Sequence, residues 1–308
     1  MKNKVCVLGS INLDTTLHVE RIPLPGETVP VSDKSSAPGG KGANQAVASA
    51  RSGAKVHFIG AIGDDNSGQT MLRSLKEDNI DLTNITKSDK AGTGTATIML
   101  DENGQNSILV YPGANKEINL TQIKNAESLI ASMDFIVAQF ETPIKETTLA
   151  FQIAHKHGVV TVLNPAPTSH IPDELLGETD IIAPNETESF AITGIKADSL
   201  SSMNKSANYF RDKGVKATLI TLGDKGVYYS YDKQAKIVPA YKVKAVDTTA
   251  AGDTFLGALS AVLKKDLSNL EVAIDYGEKA SSLTVQRNGA QPSIPTFSQI
   301  NKFYGGEK

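Results

Sequence analysis

One cysteine in 308 residues, Cys6, is too little for an intrachain disulfide or a cysteine-only metal site. It stands inside the apolar run 5–8, which marks it as a buried strand residue. No apolar run reaches the length of a membrane span. The opening Met1-Lys2-Asn3-Lys4 leads into an apolar stretch too short for a secretory signal, so the expected location is cytoplasmic. The Asn-x-Thr triplets at Asn84, Asn119 and Asn185 are then chance matches rather than glycan sites. A basic excess is missing as well. With a formal net charge of −3, the chain has no footprint for nucleic acid and no polybasic patch for a membrane.

Familiar signatures are absent too. There is no Gly-x-x-x-x-Gly-Lys-[Ser/Thr], which excludes a P-loop, and no His-Arg-Asp or Asp-Phe-Gly, which excludes a protein kinase. No Gly-x-Gly-x-x-Gly follows the first strand, so a Rossmann dehydrogenase is disfavoured. His-Glu-x-x-His, Cys-x-x-Cys and Gly-x-Ser-x-Gly do not occur either.

What is present is alternation. Short β-branched runs at 5–8, 56–59, 135–137, 159–163, 181–183 and 217–221 read as strands. Helical spacing occupies 43–52, 67–79, 120–131, 146–157 and 201–213 between them. This order predicts an α/β chain with a mainly parallel, helix-covered sheet. Residues 225–238 then read as antiparallel strands, and helices follow at 252–264, 270–285 and 296–304. Two segments break the rhythm: 15–36, with the turn Pro23-Leu24-Pro25-Gly26, and a hairpin at 94–100 and 107–111 around Asn103-Gly104. Together they predict a small antiparallel sheet projecting from the core, serving as a lid, a dimer interface or both. No linker or repeat divides the chain, so residues 1–308 are expected to form one domain, with lid segments at about 15–36 and 93–111.

Residues 246–255, Val-Asp-Thr-Thr-Ala-Ala-Gly-Asp-Thr-Phe, carry the strongest chemical signal. Small residues enter a helix at Gly252, leaving free backbone N–H groups and a positive dipole end for an anion. Asp253 inside that site points to phosphoryl transfer, although an acid in a first helical turn also stabilises the helix alone. Three glycines in Pro38-Gly39-Gly40-Lys41-Gly42-Ala43-Asn44-Gln45 let a ligand approach the backbone, or simply let a helix pack tightly. Asn12 and Asp14 project to the same side of an extended chain after the first strand, suited to sugar hydroxyls or to an Asx turn. Asn185 and Glu188 fit a capping box, or phosphate and Mg²⁺ organisation through water.

As an ordered set, Gly39-Gly40-Lys41-Gly42-Ala43-Asn44 and Asp247-Thr248-Thr249-Ala250-Ala251-Gly252-Asp253 resemble the two signatures of the ribokinase family of carbohydrate and nucleoside kinases. The likeness continues through Asn164-Pro165-Ala166-Pro167, Pro184 to Glu188, Thr221-Leu222-Gly223 and Gly289-Ala290-Gln291-Pro292-Ser293. It implies a three-layer α/β/α core with a small β lid, and ATP-dependent phosphorylation of D-ribose at its 5-hydroxyl. Asn12, Asp14, Gly40, Lys41, Asn44 and Glu141 would bind ribose. Asp253 would be the catalytic base, with the N–H groups of Ala250, Ala251 and Gly252 as the anion hole. Asn185, Thr221, Gly223 and Gly252 would line the nucleotide site, and Asn185 and Glu188 would serve Mg²⁺. A K⁺ site would fall on Asp247, Thr249, Thr284, Arg287, Gly289 and Ser293, several through carbonyls. The resemblance also implies a homodimer paired through the lid. It gives no base-binding role to Glu278, near which adenine would lie. The rival readings are a kinase of the same fold for another sugar or a nucleoside, and a non-catalytic sugar binder.

Overall fold

Strand β1 (Lys4–Leu8) shows how the layers arise. Val5 and Val7 face one side of the sheet and Cys6 and Leu8 the other, and all four are fully buried. A strand apolar on both faces must be covered twice, and each such side chain contributes about 1.5–3 kcal/mol on burial. Burial in this apolar setting pushes the Cys6 thiol up to about 12.

The computed structural model describes residues 2–305; Met1 and residues 306–308, the ends of the expected domain, lie outside the described residues. After β1 come β2 (Asn12–His18), β3 (Asp33–Gly39), α1 (Lys41–Arg51), β4 (Lys55–Gly63), α2 (Asn66–Glu77) and β5 (Asp81–Ser88). The chain continues through β6 (Thr95–Leu100), β7 (Asn106–Tyr111), α3 (Leu120–Asn125), α4 (Glu127–Ala131) and β8 (Phe135–Ala138). Next are α5 (Ile144–Lys156), β9 (Val160–Leu163), α6 (Asp173–Gly177), β10 (Ile181–Ile182), α7 (Glu186–Thr193) and α8 (Leu200–Asp212). The last elements are β11 (Ala217–Thr221), β12 (Val227–Tyr231), β13 (Gln234–Val238), α9 (Ala251–Val262), α10 (Leu270–Thr284) and α11 (Phe297–Tyr304).

Nine strands form one sheet in the order β13-β12-β11-β10-β9-β8-β1-β4-β5, parallel from β11 to β5. At one edge the pairings β11–β12 and β12–β13 are antiparallel, so β12 alone runs against the other described strands of this sheet. Helices α1, α9 and α10 cover one face, while α3, α4, α5 and α6 pack on the other. The expected three-layer α/β core is therefore present. Strand order reverses between β1 and β8, and open α/β sheets bind ligands beyond the carboxyl ends of strands at such a switch point.

The small second sheet, β3-β2-β6-β7, is built from the two segments that interrupt the alternation. Its outer pairs are antiparallel, as expected, but its central pair β2–β6 is parallel. Each segment supplies two strands, and the two halves join in the same direction. The expected helix at 120–131 is broken at Ala126 into α3 and α4. Strand β5, with its mixed polar pattern, was not signalled by the sequence.

Candidate active site

The site forms where the loops after β1, β8, β9, β10 and β11 converge. They carry Gly9 to Asn12, Gln139 to Glu141, Asn164, Asn185 and Thr221 to Gly223. Each is placed by the carboxyl end of a buried parallel strand, so the core fixes their spacing.

Helix α1 enters this region through Gly40, whose φ of 89° is open to glycine at little cost. At Gly42 a Cβ would meet Gly9 Cα and Ser10 N at 2.6 Å, so the helix start lies directly against the loop after β1. Glu141 receives the Lys41 amide at 3.0 Å and the Ser10 hydroxyl, holding two loops and the helix end together. Asn12 and Asp14 lie on the first strand of the small sheet rather than on the end of β1, and share one face of it. Asn12 Oδ1 accepts from Asn115 Nδ2 at 2.8 Å, and Asn115 Oδ1 accepts the Ile11 amide at 2.9 Å. Asn115 had no role from sequence; its place in a 3₁₀ turn after β7 leaves no local pattern. Asp14 is pushed up to about 6 by burial, relieved by the Ala96 amide and reinforced by Glu141.

Asp253 is buried at the start of α9. Its Oδ1 accepts from Gln45 Nε2 at 2.9 Å and its Oδ2 from Asn44 Nδ2 at 3.1 Å. Burial raises its pKa, while Lys41 and the two amides oppose the rise and Glu141 adds to it. Gln45 is held in turn: its Oε1 accepts from Gln139 Nε2 at 2.6 Å, and its Nε2 also donates to Asn164 Oδ1 at 3.3 Å. Amide donors and a neighbouring lysine favour the ionised form of such a carboxylate, against its burial. Lys41 is raised above the usual lysine range, first by Asp253, against the cost of burial, and further by Glu141 and Glu188.

Ala250 caps α9 in the left-handed region, with φ 60°. For a residue with a Cβ that conformation costs on the order of 1–3 kcal/mol, and it turns the following amides outward. The Ala251 N–H donates to Thr248 O at 3.2 Å. Between Ala250 and Asp253, the amides of Ala250, Gly252 and Asp253 make no hydrogen bond among the described residues. A Cβ on Gly252 would meet nothing within 4 Å, so the glycine opens the cavity rather than relieving a clash.

Two cavities meet at this loop. One, of about 210 Å³, is lined by Lys41, Asn164, Asn185, Glu188 and Asp253. The other, of about 690 Å³, runs past Asn185, Thr221 and Gly223 to Tyr241 and Glu278. Thr248, Ala251 and Gly252 line both. Asn185 and Glu188 form the capping box of α7, with Glu188 N to Asn185 Oδ1 at 2.7 Å and Asn185 N to Glu188 Oε2 at 2.8 Å. Asn185 also lines both cavities, and Glu188 the smaller one. Burial raises Glu188, opposed by the Asn185 amide and Lys41. This oxygen-rich pair suits a hydrated Mg²⁺, which prefers carboxylate and water.

The expected cation residues come together only in part. Asp247 Oδ1 accepts from the Thr249 amide at 2.9 Å and its hydroxyl at 2.6 Å, and Oδ2 accepts the Gly289 amide at 2.8 Å. Burial works to raise Asp247, but these donors outweigh it and bring it below the ordinary carboxylate range. Thr284 is buried, its hydroxyl donating to Thr254 Oγ1 at 3.1 Å and its carbonyl accepting the Arg287 amide at 3.0 Å. Ser293 Oγ donates to Ala290 O at 2.6 Å. Among the described residues, no hydrogen bond joins the side chains of Thr284, Arg287 or Ser293 to Asp247.

Fold and site define a kinase of small hydroxylated molecules: a polar recess, a buried carboxylate, a loop with free amides and a second, larger cavity that shares this loop. The model of the pfkB family carbohydrate kinases matches residues 2–297, and the chain belongs to that family. It is 50% identical to a ribokinase of Staphylococcus aureus strain COL, over 98% of this chain and 100% of that protein. A Haemophilus influenzae ribokinase is 43% identical, over 98% and 99% of the two chains. The solved structure of Arabidopsis thaliana ribokinase complexed with ribose and ATP matches with a TM-score of 0.93 at 30% identity, over 98% of each chain.

Proposed function

We propose that this protein transfers the terminal phosphoryl group of ATP to the 5-hydroxyl of D-ribose, giving D-ribose 5-phosphate and ADP. The observation that carries the reading is Asp253: a buried carboxylate, held by Asn44 and Gln45, at the rim where both cavities share Gly252. The similarity to ribokinases over nearly the whole chain supports the same substrate pair.

Asn12, Asp14, Gly40, Lys41, Asn44 and Glu141 grip the sugar. Asp253 takes the proton of the hydroxyl as its oxygen bonds to phosphorus and ADP leaves on the opposite side. Such a general base contributes roughly 10²–10⁴-fold. The N–H groups of Ala250, Gly252 and Asp253 stabilise charge on the moving phosphoryl group, with Lys41 beside them. Asn185, Thr221 and Gly223 line the nucleotide. Asn185 and Glu188 would hold Mg²⁺ through water, and the ion would supply positive charge to offset the phosphates. The loops of Asp247, Thr249, Thr284, Arg287, Gly289 and Ser293 would hold K⁺, whose charge would help to set the shape of the anion loop.

Residues 1–308 act as one unit, with segments 15–36 and 93–111 closing over the sugar and excluding water. On β7, Ile108, Leu109, Val110 and Tyr111 are all more than half exposed, at 52, 64, 58 and 51%. An apolar edge strand bare on both faces favours pairing with a second copy through the lid. Among the described residues no helix is long and apolar enough to cross a membrane. The reaction belongs in the cytoplasm, where ATP is available.

ADP release measured over a panel of pentoses, hexoses and nucleosides, with and without K⁺, tests the reading. D-Ribose is expected to give the highest kcat/KM. A nucleoside or hexose ahead of ribose, or no turnover with any sugar, refutes it.

A further inference from the structure

The far end of the larger cavity is closed by α10 and the segment 240–245, away from the free amides of the anion loop. With the phosphates of a nucleotide at those amides, its base lies at this far end. The polar side chains there are mostly committed to one another. Tyr241 Oη donates to Asp275 Oδ1 at 2.7 Å, and Ser282 Oγ and Tyr304 Oη lie 2.6 Å apart, while Ser281 Oγ, nearer the loop, donates to Ala251 O at 3.1 Å. Glu278 differs. It is 9% exposed, lines the cavity, and makes no hydrogen bond or ion pair among the described residues.

We propose that Glu278 reads the nucleobase, selecting adenine over guanine by donating from one carboxyl oxygen and accepting with the other. The proposal rests on the reading that a nucleoside triphosphate is the phosphoryl donor. Adenine presents the N6 amino donor beside the N7 acceptor, which a neutral carboxylic acid matches at both positions. Guanine presents N7 and O6 acceptors together on that edge, so the same acid satisfies only one. An ionised carboxylate keeps the contact to N6 and loses the other.

The surroundings favour the neutral form. Burial, and then Asp275 one turn earlier on α10, push Glu278 up to about 7. The other ionisable groups around this end are Lys279 on α10, paired with Asp275 at 2.9 Å, Tyr241 and Lys242 on the 240–245 segment, and Tyr304 on α11. Helix α9 contributes Phe255, which is uncharged.

The test is calorimetric binding of ATP and of GTP without sugar, at pH 6 and pH 8.5, to the wild type, Glu278→Gln and Glu278→Leu. One lost hydrogen bond corresponds to roughly three- to tenfold in affinity. The wild type is expected to prefer ATP at pH 6 and to bind it three- to tenfold (roughly) more weakly at pH 8.5. Glu278→Gln, a donor and acceptor at every pH, is expected to lose most of that pH dependence and keep the preference. Glu278→Leu is expected to lose the preference at both. Equal ATP and GTP affinities in the wild type, an unchanged preference in Glu278→Leu, or the same pH dependence in Glu278→Gln as in the wild type, overturns the proposal. Discriminating ATP binding with no sugar phosphorylated would refute the kinase reading instead and leave this one standing.

Discussion

Replacing Gln45 by leucine removes three hydrogen bonds from a fully buried amide: to Asp253 at 2.9 Å, to Asn164 at 3.3 Å and from Gln139 at 2.6 Å. Leucine fills a similar volume, so the loss is polar rather than a cavity. Two neutral groups, on Asn164 and Gln139, lose a buried partner, at about 1–3 kcal/mol each. Stability should therefore fall by roughly 2–6 kcal/mol. The third bond acts on chemistry. A donor to an ionised carboxylate holds its pKa down, so losing that bond raises Asp253 further. The base works when ionised, so activity is lost as pH falls through its pKa, and a higher pKa moves that loss to higher pH. The assay is ADP release coupled to NADH oxidation from pH 5.5 to 9, with circular dichroism to confirm folding. The acid limb of kcat/KM should shift to higher pH than in the wild type, with activity recovering as pH rises. A lower melting temperature with an unmoved acid limb would refute the reasoning and leave Gln45 a packing residue.

Three further outcomes follow from the same geometry. Gly252→Leu places a side chain in space shared by both cavities, so the KM for ATP should rise by about tenfold or more while the melting temperature holds or rises, since glycine inside a helix costs about 0.5–1 kcal/mol. Exchanging K⁺ for Na⁺ should lower kcat several-fold, and Asp247→Ala should abolish the difference between the two ions; an ion-indifferent wild type removes the cation assignment. Leu109→Glu on the exposed β7 strand should convert a dimer to a 32.7 kDa monomer by light scattering, and an unchanged mass would place the dimer contact elsewhere.

Much of the fold was legible because a parallel strand buried on both faces has to be written as an unbroken apolar run. Residues 217–221 were read as a strand and form one, and the runs at 5–8 and 135–137 are each one residue short. Strand β5 escaped because it is an edge strand with half-buried polar residues, which carry no such signature. The parallel pairing of β2 with β6 joins segments some 80 residues apart, a relation no local pattern encodes. In the site, Asp253 and the glycine-rich loop stood out because small residues and a lone acid at a helix start are chemically pointed. Gln45, Gln139 and Asn115 did not, since an isolated amide gains its meaning only from the partner it meets across the fold. The left-handed conformation of Ala250 was equally silent, because alanine gives no sign of a positive φ.

The most direct measurement of the central claim pairs product analysis with one substitution. ³¹P and ¹³C spectra of the wild-type reaction should show phosphate on O5 of ribose, formed one for one with ADP. Asp253→Asn should lower kcat by roughly 10²–10⁴-fold while binding ATP as the wild type does. Phosphate on another hydroxyl, or near-normal turnover by Asp253→Asn, would contradict the assignment of this site and its base.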